Sequence, residues 1–197
     1  MGKLKEVICM AGHRFQPEKA GKLISEERKK LLPPEEILKP LNVEKNDMVV
    51  DLGAGNGYFT LPLAKQTNNK VYAVDIEPQM LDMLKERAEK EQLHNIEYTE
   101  SNLEDIQLPN EIADKAFIAF VMHEILQLSK ALEEIKRILK PGGKLLVLEW
   151  EAVETVSGPP LFERISSKKL LTILNEHDLK GELVSINPAQ YGVICEK

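Results

Sequence analysis

Short apolar runs alternate with helical stripes along most of this chain. Residues 48–52, Met-Val-Val-Asp-Leu, form an apolar run that ends in glycines, which predicts a buried strand. Residues 58–65 carry helical spacing, and Val71-Tyr72-Ala73-Val74 predicts a second strand that closes on Asp75. Met80, Leu81, Leu84 and Ala88 then make a helical stripe at i, i+4 and i+8. Residues 96–99 read as a third strand, and residues 115–121 as a fourth whose unbroken apolar run predicts burial on both faces. Ala131, Ile135, Ile138 and Leu139 mark the next helix, which Pro141-Gly142-Gly143 is expected to end and turn. Residues 145–148 give a fifth strand. After a loop with Gly158-Pro159-Pro160, Ser166 is placed to cap a helix with apolar positions Leu170, Leu171 and Leu174. Residues 183–186 and 191–195, separated by Asn187-Pro188, are the last two strands.

This repeated strand–helix alternation implies a parallel sheet with helices on both faces. Right-handed crossovers then bring the carboxyl ends of the strands to one edge, where the ligand of such a sheet sits. The positions that matter are therefore 51–57, 75–78, 101–103, 121–124 and 149–150. Residues 1–44 differ: they are polar, dense in Lys and Glu, and hold Pro17, Pro33, Pro34 and Pro40. Pro17-Glu18 suits a helix start, with residues 18–32 helical until the prolines, and Pro34-Glu35-Glu36 suits a second, short helix. This part is read as a helical appendage on a main domain spanning 45–197.

Composition narrows the classes. With 43% hydrophobic and 29% charged residues, the 197-residue chain is no disordered tail, and its length suits one domain of roughly 150 residues or slightly more. A net charge of −6 with 5% aromatics argues against bulk nucleic acid as the partner. No apolar run approaches the roughly 18 residues of a membrane span, and the N-terminal stretch lacks a secretory apolar core. Cys9 and Cys195 make no disulfide or metal framework, which favours a reducing cytoplasm, and no His-Cys-carboxylate cluster at ligand spacing predicts a metal site.

Two motifs carry chemistry. Asp51-Leu52-Gly53-Ala54-Gly55-Asn56-Gly57 follows the first strand, with glycines that let the backbone turn tightly and approach a ligand. The G-x-G-x-G spacing differs from the G-x-G-x-x-G/A dinucleotide fingerprint, and a carboxylate at its mouth repels pyrophosphate but suits an ammonium group. Asp75 ends the second strand. A carboxylate there can accept both hydroxyls of a ribose, and Ile76 offers an apolar surface to a purine.

With these two motifs the chain resembles class I S-adenosylmethionine-dependent methyltransferases, in the branch that holds the ubiquinone and menaquinone C-methyltransferases. The resemblance covers roughly residues 45–197 and rests on VVDLGAGNGYFT (49–60), VYAVDIEPQML (71–81), FVMHEI (120–125) and EIKRILKPGGKLLVLEW (134–150). It implies a Rossmann-like, doubly wound α/β sheet of seven strands, mostly parallel with the last antiparallel, and S-adenosylmethionine as cofactor. It further implies that Asp51, Gly53, Ala54, Gly55, Asn56 and Gly57 meet the methionine end, Asp75 the ribose, and Ile76 the adenine, with Asn102, Leu103 and Phe120 completing the cofactor site. One departure stands out: where the family often has Gly-Asp-Ala after the third strand, this chain has Ser101-Asn102-Leu103, which keeps an acceptor oxygen but loses the charge. If that strand is shifted in register, Glu104 or Asp105 is the substitute.

The transfer step leaves fewer marks, because in-line displacement at a sulfonium methyl is driven largely by positioning. His123, just after the fourth strand, is the candidate general base, although a histidine there also suits a helix cap. Trp150 offers an aromatic wall to a flat acceptor. His13-Arg14-Phe15 places a donor, a cation and an aromatic together as a candidate lid, with Arg14 for the methionine carboxylate and Phe15 as a roof over the acceptor. The expected reaction is methyl transfer to a small-molecule acceptor. A non-catalytic S-adenosylmethionine binder and, less favoured, an NAD(P)-dependent oxidoreductase are the alternatives.

Overall fold

The computed structural model describes Gly21 and residues 24–197. The first described helix, α1 (Glu26–Leu31), is set by Ser25, whose side-chain oxygen accepts the Arg28 N–H at 3.2 Å. Of the helix expected over 18–32, residues 18–20, 22 and 23 lie outside the described residues, and the described helix takes Ser25 as its cap. Pro33 and Pro34 stop α1 and start α2 (Pro34–Ile37), where the missing proline N–H costs nothing. Leu32, Ile37, Leu38 and Leu41 are all buried in the same cluster as Val49, Leu61 and Phe117 of the main fold. Burial of each such side chain is worth roughly 1.5–3 kcal/mol, so this segment is held firmly against the sheet.

Alternation then follows: β1 (Val49–Leu52), α3 (Thr60–Gln66), β2 (Val71–Asp75), α4 (Pro78–Lys90), β3 (Ile96–Glu100), β4 (Ala113–Ala119), α5 (Leu128–Ile138), β5 (Leu139–Trp150), α6 (Ser167–Glu176), β6 (Lys180–Asn187) and β7 (Gln190–Glu196). All four residues of β1 are buried, as an unalternating apolar run demands when both faces are covered. The seven strands form one sheet in the order β3-β2-β1-β4-β5-β7-β6. β1 to β5 pair in parallel, and β7 lies antiparallel between β5 and β6. α5 and α6 cover one face, and α2, α3 and α4 the other. The strand order reverses between β1 and β4, so a crevice opens at their carboxyl ends.

Two boundaries depart most from the sequence reading. α5 ends at Ile138, and Pro141-Gly142-Gly143 lies inside β5. There the Gly142 N–H donates to Lys197 O, and the Lys197 N–H to Gly143 O, so the turn-like triplet is held by the end of the chain. β4 stops at Ala119, two residues before the end of its apolar run, because Phe120 takes φ 60° and leaves the extended conformation. Ser166 does cap α6, accepting the Lys169 N–H. Among the described residues no helix is long and apolar enough to cross a membrane.

Candidate active site

β1 delivers the glycine loop into the crevice. Gly53 sits at φ +74°, and its N–H and that of Ala54 both donate to Val74 O of the neighbouring strand. A Cβ at Gly53 would lie 2.5 Å from Val121 Cγ2, so glycine is what lets the loop pass under the segment after β4. Gly53, Ala54, Gly55 and Asn56 line the cleft. Gly57 does not. Its φ of +85° turns it onto α4, where a Cβ would meet Leu84 Cδ1, so it shapes the loop from behind.

Asp51 lies at the bottom of the cleft, 3% exposed, with Oδ2 accepting from Thr60 Oγ1 at 2.6 Å. Burial pushes its carboxyl up to about 7, against the Thr60 hydrogen bond and with a push from Asp75. Asp75 is bonded on both oxygens, Oδ2 to the Gly55 N–H at 2.7 Å and Oδ1 to the Glu77 N–H at 2.9 Å. Burial raises its pKa, and those N–H bonds draw it back. Ile76 and Leu103 line the wall beside it. Asn102 is exposed on the same rim, and its Oδ1 already accepts the Glu104 N–H at 3.0 Å. Glu104 lines the cleft too, but its carboxylate accepts from the Gln127 N–H and Nε2, which ties the loop after β3 to the start of α5.

The other half of the cleft is built at the ends of β4 and β5. Phe120 lines it with its backbone in the left-handed region, an unfavourable state for a bulky residue that the surroundings impose. Its ring lies 5.5 Å from that of Trp150. Trp150 is backed by Arg164, whose guanidinium is 5.2 Å from the indole and donates to Val153 O, Pro159 O and Thr155 Oγ1. That one side chain fastens the loop after β5. Gly158 packs on the Trp150 ring at φ +101°, where a Cβ would come within 3.1 Å of the indole.

His123 lines the same half, and Glu149 holds it. Nδ1 is 3.0 and 2.9 Å from the two Glu149 oxygens, and Glu149 is fully buried. The Trp150 N–H also donates to Glu149 Oε1 at 2.7 Å. Burial works against charge on the imidazole, yet the Glu149 hydrogen bond and charge, with Glu124 and Glu163 behind them, raise its pKa above the ordinary histidine value. α1 forms the roof through Arg28, Leu31 and Leu32. The Arg28 guanidinium lies 5.2 Å from both the Tyr58 and Phe120 rings. Among the described residues it has no carboxylate partner, and its Nε is buried without a hydrogen bond.

Asp51, Gly53, Ala54, Gly55, Asn56, Asp75, Ile76, Asn102, Leu103, Phe120, His123 and Trp150 thus line one cleft of about 1010 Å³. Arg14 and Phe15 lie outside the described residues. Sequence reasoning did not single out Arg28 or the Glu149–His123 pair. The pair had a readable signal, since His123 follows β4 and Glu149 ends β5, neighbouring strands whose carboxyl ends meet at the same sheet edge.

A methyltransferase domain model matches residues 50–147. The crystal structure of a SAM-dependent methyltransferase from Aquifex aeolicus is 32% identical, covers 93% of this chain and 99% of its own, and superposes with a TM-score of 0.87. The chain belongs to the S-adenosylmethionine-dependent methyltransferases. The family's methyl donor fits the donor set here: two carboxylates flank a glycine turn, an apolar wall stands beside one of them, and a cation without a carboxylate partner among the described residues lies above. Among curated proteins, this methyltransferase is similar to the ubiquinone/menaquinone biosynthesis C-methyltransferases of Hydrogenovibrio crunogenus, 31% identical over 157 residues, and of Francisella philomiragia, 34% identical over 157. Each match covers 78% of this chain, which spans about 60% of the length of those relatives.

Proposed function

We propose that this methyltransferase moves a methyl group from S-adenosylmethionine to a small, flat acceptor of the kind suggested by the quinone-pathway relatives. The observation that carries the reading is continuity. The carboxylates Asp51 and Asp75 at one end and His123, Phe120 and Trp150 at the other line the same cavity of about 1010 Å³. That volume is at the upper end for a single small ligand and accommodates donor and acceptor together.

In this reading Asp75 takes the ribose hydroxyls, Ile76 and Leu103 the adenine faces, and Asn102 the adenine edge. Asp51 meets the ammonium group and Arg28 the carboxylate of the methionine end. When bound, the cofactor supplies an electrophilic methyl on a positively charged sulfur. The chain's own residues hold the acceptor against Phe120 and Trp150, exclude water with α1 and the 153–160 loop, and offer His123 as a base. α1 covers part of the cleft, as the lining by Arg28 and Leu31 supports. A cytoplasmic location follows from the cysteine usage.

Calorimetric titration with S-adenosylhomocysteine and, separately, NADH tests the reading. Binding of the first and not the second is expected. Submillimolar NADH affinity without S-adenosylhomocysteine binding overturns it.

A further inference from the structure

We propose that Glu149 is a positioning residue that makes His123 Nε2 the proton-accepting atom, so that the acceptor reacts at an atom bearing an acidic proton, such as a phenol oxygen. The proposal rests on the methyltransferase reading above. His123 Nδ1 lies within 3.0 Å of both Glu149 oxygens, and a carboxylate accepts only, so the ring proton sits on Nδ1. Nε2 is then the basic lone pair. His123 lines the cleft with its side chain 5% exposed, and the ion-pair contact of Nε2 among the described residues is Glu124 Oε1 at 3.9 Å, beyond hydrogen-bond length.

A purely structural tie between the ends of β4 and β5 needs no such arrangement. Phe120 N–H to Leu148 O already joins the two strand ends by backbone alone. A fully buried carboxylate is costly unless a charge meets it. Here that charge comes when the imidazole takes a proton, which is the state a base reaches during transfer. The charged and titratable groups facing the pair are Glu124 on its own turn, Glu163 from the turn before α6, and Tyr191 opposite Glu149 on β7. All three favour or tolerate the cation.

The acceptor's proton passes to His123 Nε2, and the electron pair freed on the acceptor forms the bond to the methyl carbon. The carbon–sulfur bond breaks with its pair kept on sulfur, and the imidazolium later gives its proton to solvent. An acceptor with no such proton, a thioether for instance, has no use for the pair.

The test begins with nitrogen-15 NMR of the S-adenosylhomocysteine-bound wild-type protein. His123 is expected in the Nδ1–H tautomer, and an Nε2–H tautomer overturns the proposal without any variant. Glu149→Gln, which keeps an acceptor oxygen but removes the charge, should lower the imidazole pKa while S-adenosylhomocysteine affinity stays within twofold. An unchanged titration in that variant also overturns it. Because the affinity is read separately, failure of the wild-type protein to bind S-adenosylhomocysteine would indict the methyltransferase reading, whereas loss of binding in Glu149→Gln alone would overturn the assignment of Glu149 to His123. With methyl-labelled cofactor, and hydroquinone and thioanisole as probes, label should reach hydroquinone and fall at least tenfold in Glu149→Gln. Label on thioanisole, or on neither probe, overturns the assigned acceptor class.

Discussion

The two halves of the cleft are made in different ways. The cofactor half is built from short contiguous stretches, each at the end of one strand, and backbone groups do much of its work: the Gly55 and Glu77 N–H groups hold Asp75, and Val74 O holds the glycine loop. The proposed acceptor half is assembled from side chains far apart in sequence, namely Phe120, His123, Glu149, Trp150 and Arg164. A half made of turns is specified locally, whereas a half made of converging side chains is specified only once the topology has brought the strand ends together.

That contrast breaks most easily from behind the glycine loop. Gly57→Ala forces a left-handed alanine and a Cβ 2.0 Å from Leu84 Cδ1, so a loss of about 2–4 kcal/mol is expected in urea unfolding. A loss below about 0.5 kcal/mol would show that the loop's conformation is not locally imposed. Next in size, Asp75→Ala should weaken S-adenosylhomocysteine binding roughly tenfold to a hundredfold, about 1.4–2.8 kcal/mol, with the fold intact by circular dichroism. An unchanged dissociation constant would mean that Asp75 serves only the Gly55 turn.

The buried Asp51 sharpens the comparison through pH. Its native pKa of about 7 lies above the ordinary value of 3.8, so between these values the native ligand-free protein holds a proton that the unfolded chain has lost. This group's contribution to stability is therefore full below about pH 4 and is lost as pH rises through about 7. Asp51→Asn should flatten that slope in thermal unfolding and stabilise the ligand-free protein at pH 8 by on the order of 1–4 kcal/mol. S-Adenosylhomocysteine affinity, which needs the carboxylate, should fall roughly tenfold as pH drops from 8 to 6. Smallest in its effect on the cofactor is Arg164→Met. It should raise an acceptor's KM severalfold by freeing the loop behind Trp150, yet leave S-adenosylhomocysteine affinity within twofold. A large loss of cofactor affinity would show the two halves to be coupled.

The sequence made the strands legible because β1, β2 and β4 are buried on both faces and so carry unbroken apolar runs. It misplaced the end of β4 because Phe120 and Val121 are as apolar as the strand itself, and hydropathy does not register a φ of 60°. Pro141-Gly142-Gly143 reads locally as a turn, and only pairing with Lys197, 55 or so residues later, draws it into β5. Gly57 was grouped with the ligand-facing glycines because spacing does not say which side of a turn meets the ligand and which meets α4. Arg28 escaped notice as one cation in a Lys- and Glu-rich stretch, since its rings at 58 and 120 come from elsewhere in the chain.

The loop after β5 has a practical consequence for redesign. Arg164 at its far end donates to carbonyls at 153, 157 and 159, so the segment closes on itself like a cassette with a single clasp. Both flanks are rigid: Trp150 belongs to β5, and Ser166 caps α6. An engineer seeking a new methyl acceptor can exchange residues 152–163 as one piece and keep the clasp. The strand ends that grip the donor then need no re-optimisation, and libraries confined to those positions sample acceptor shape at constant donor affinity.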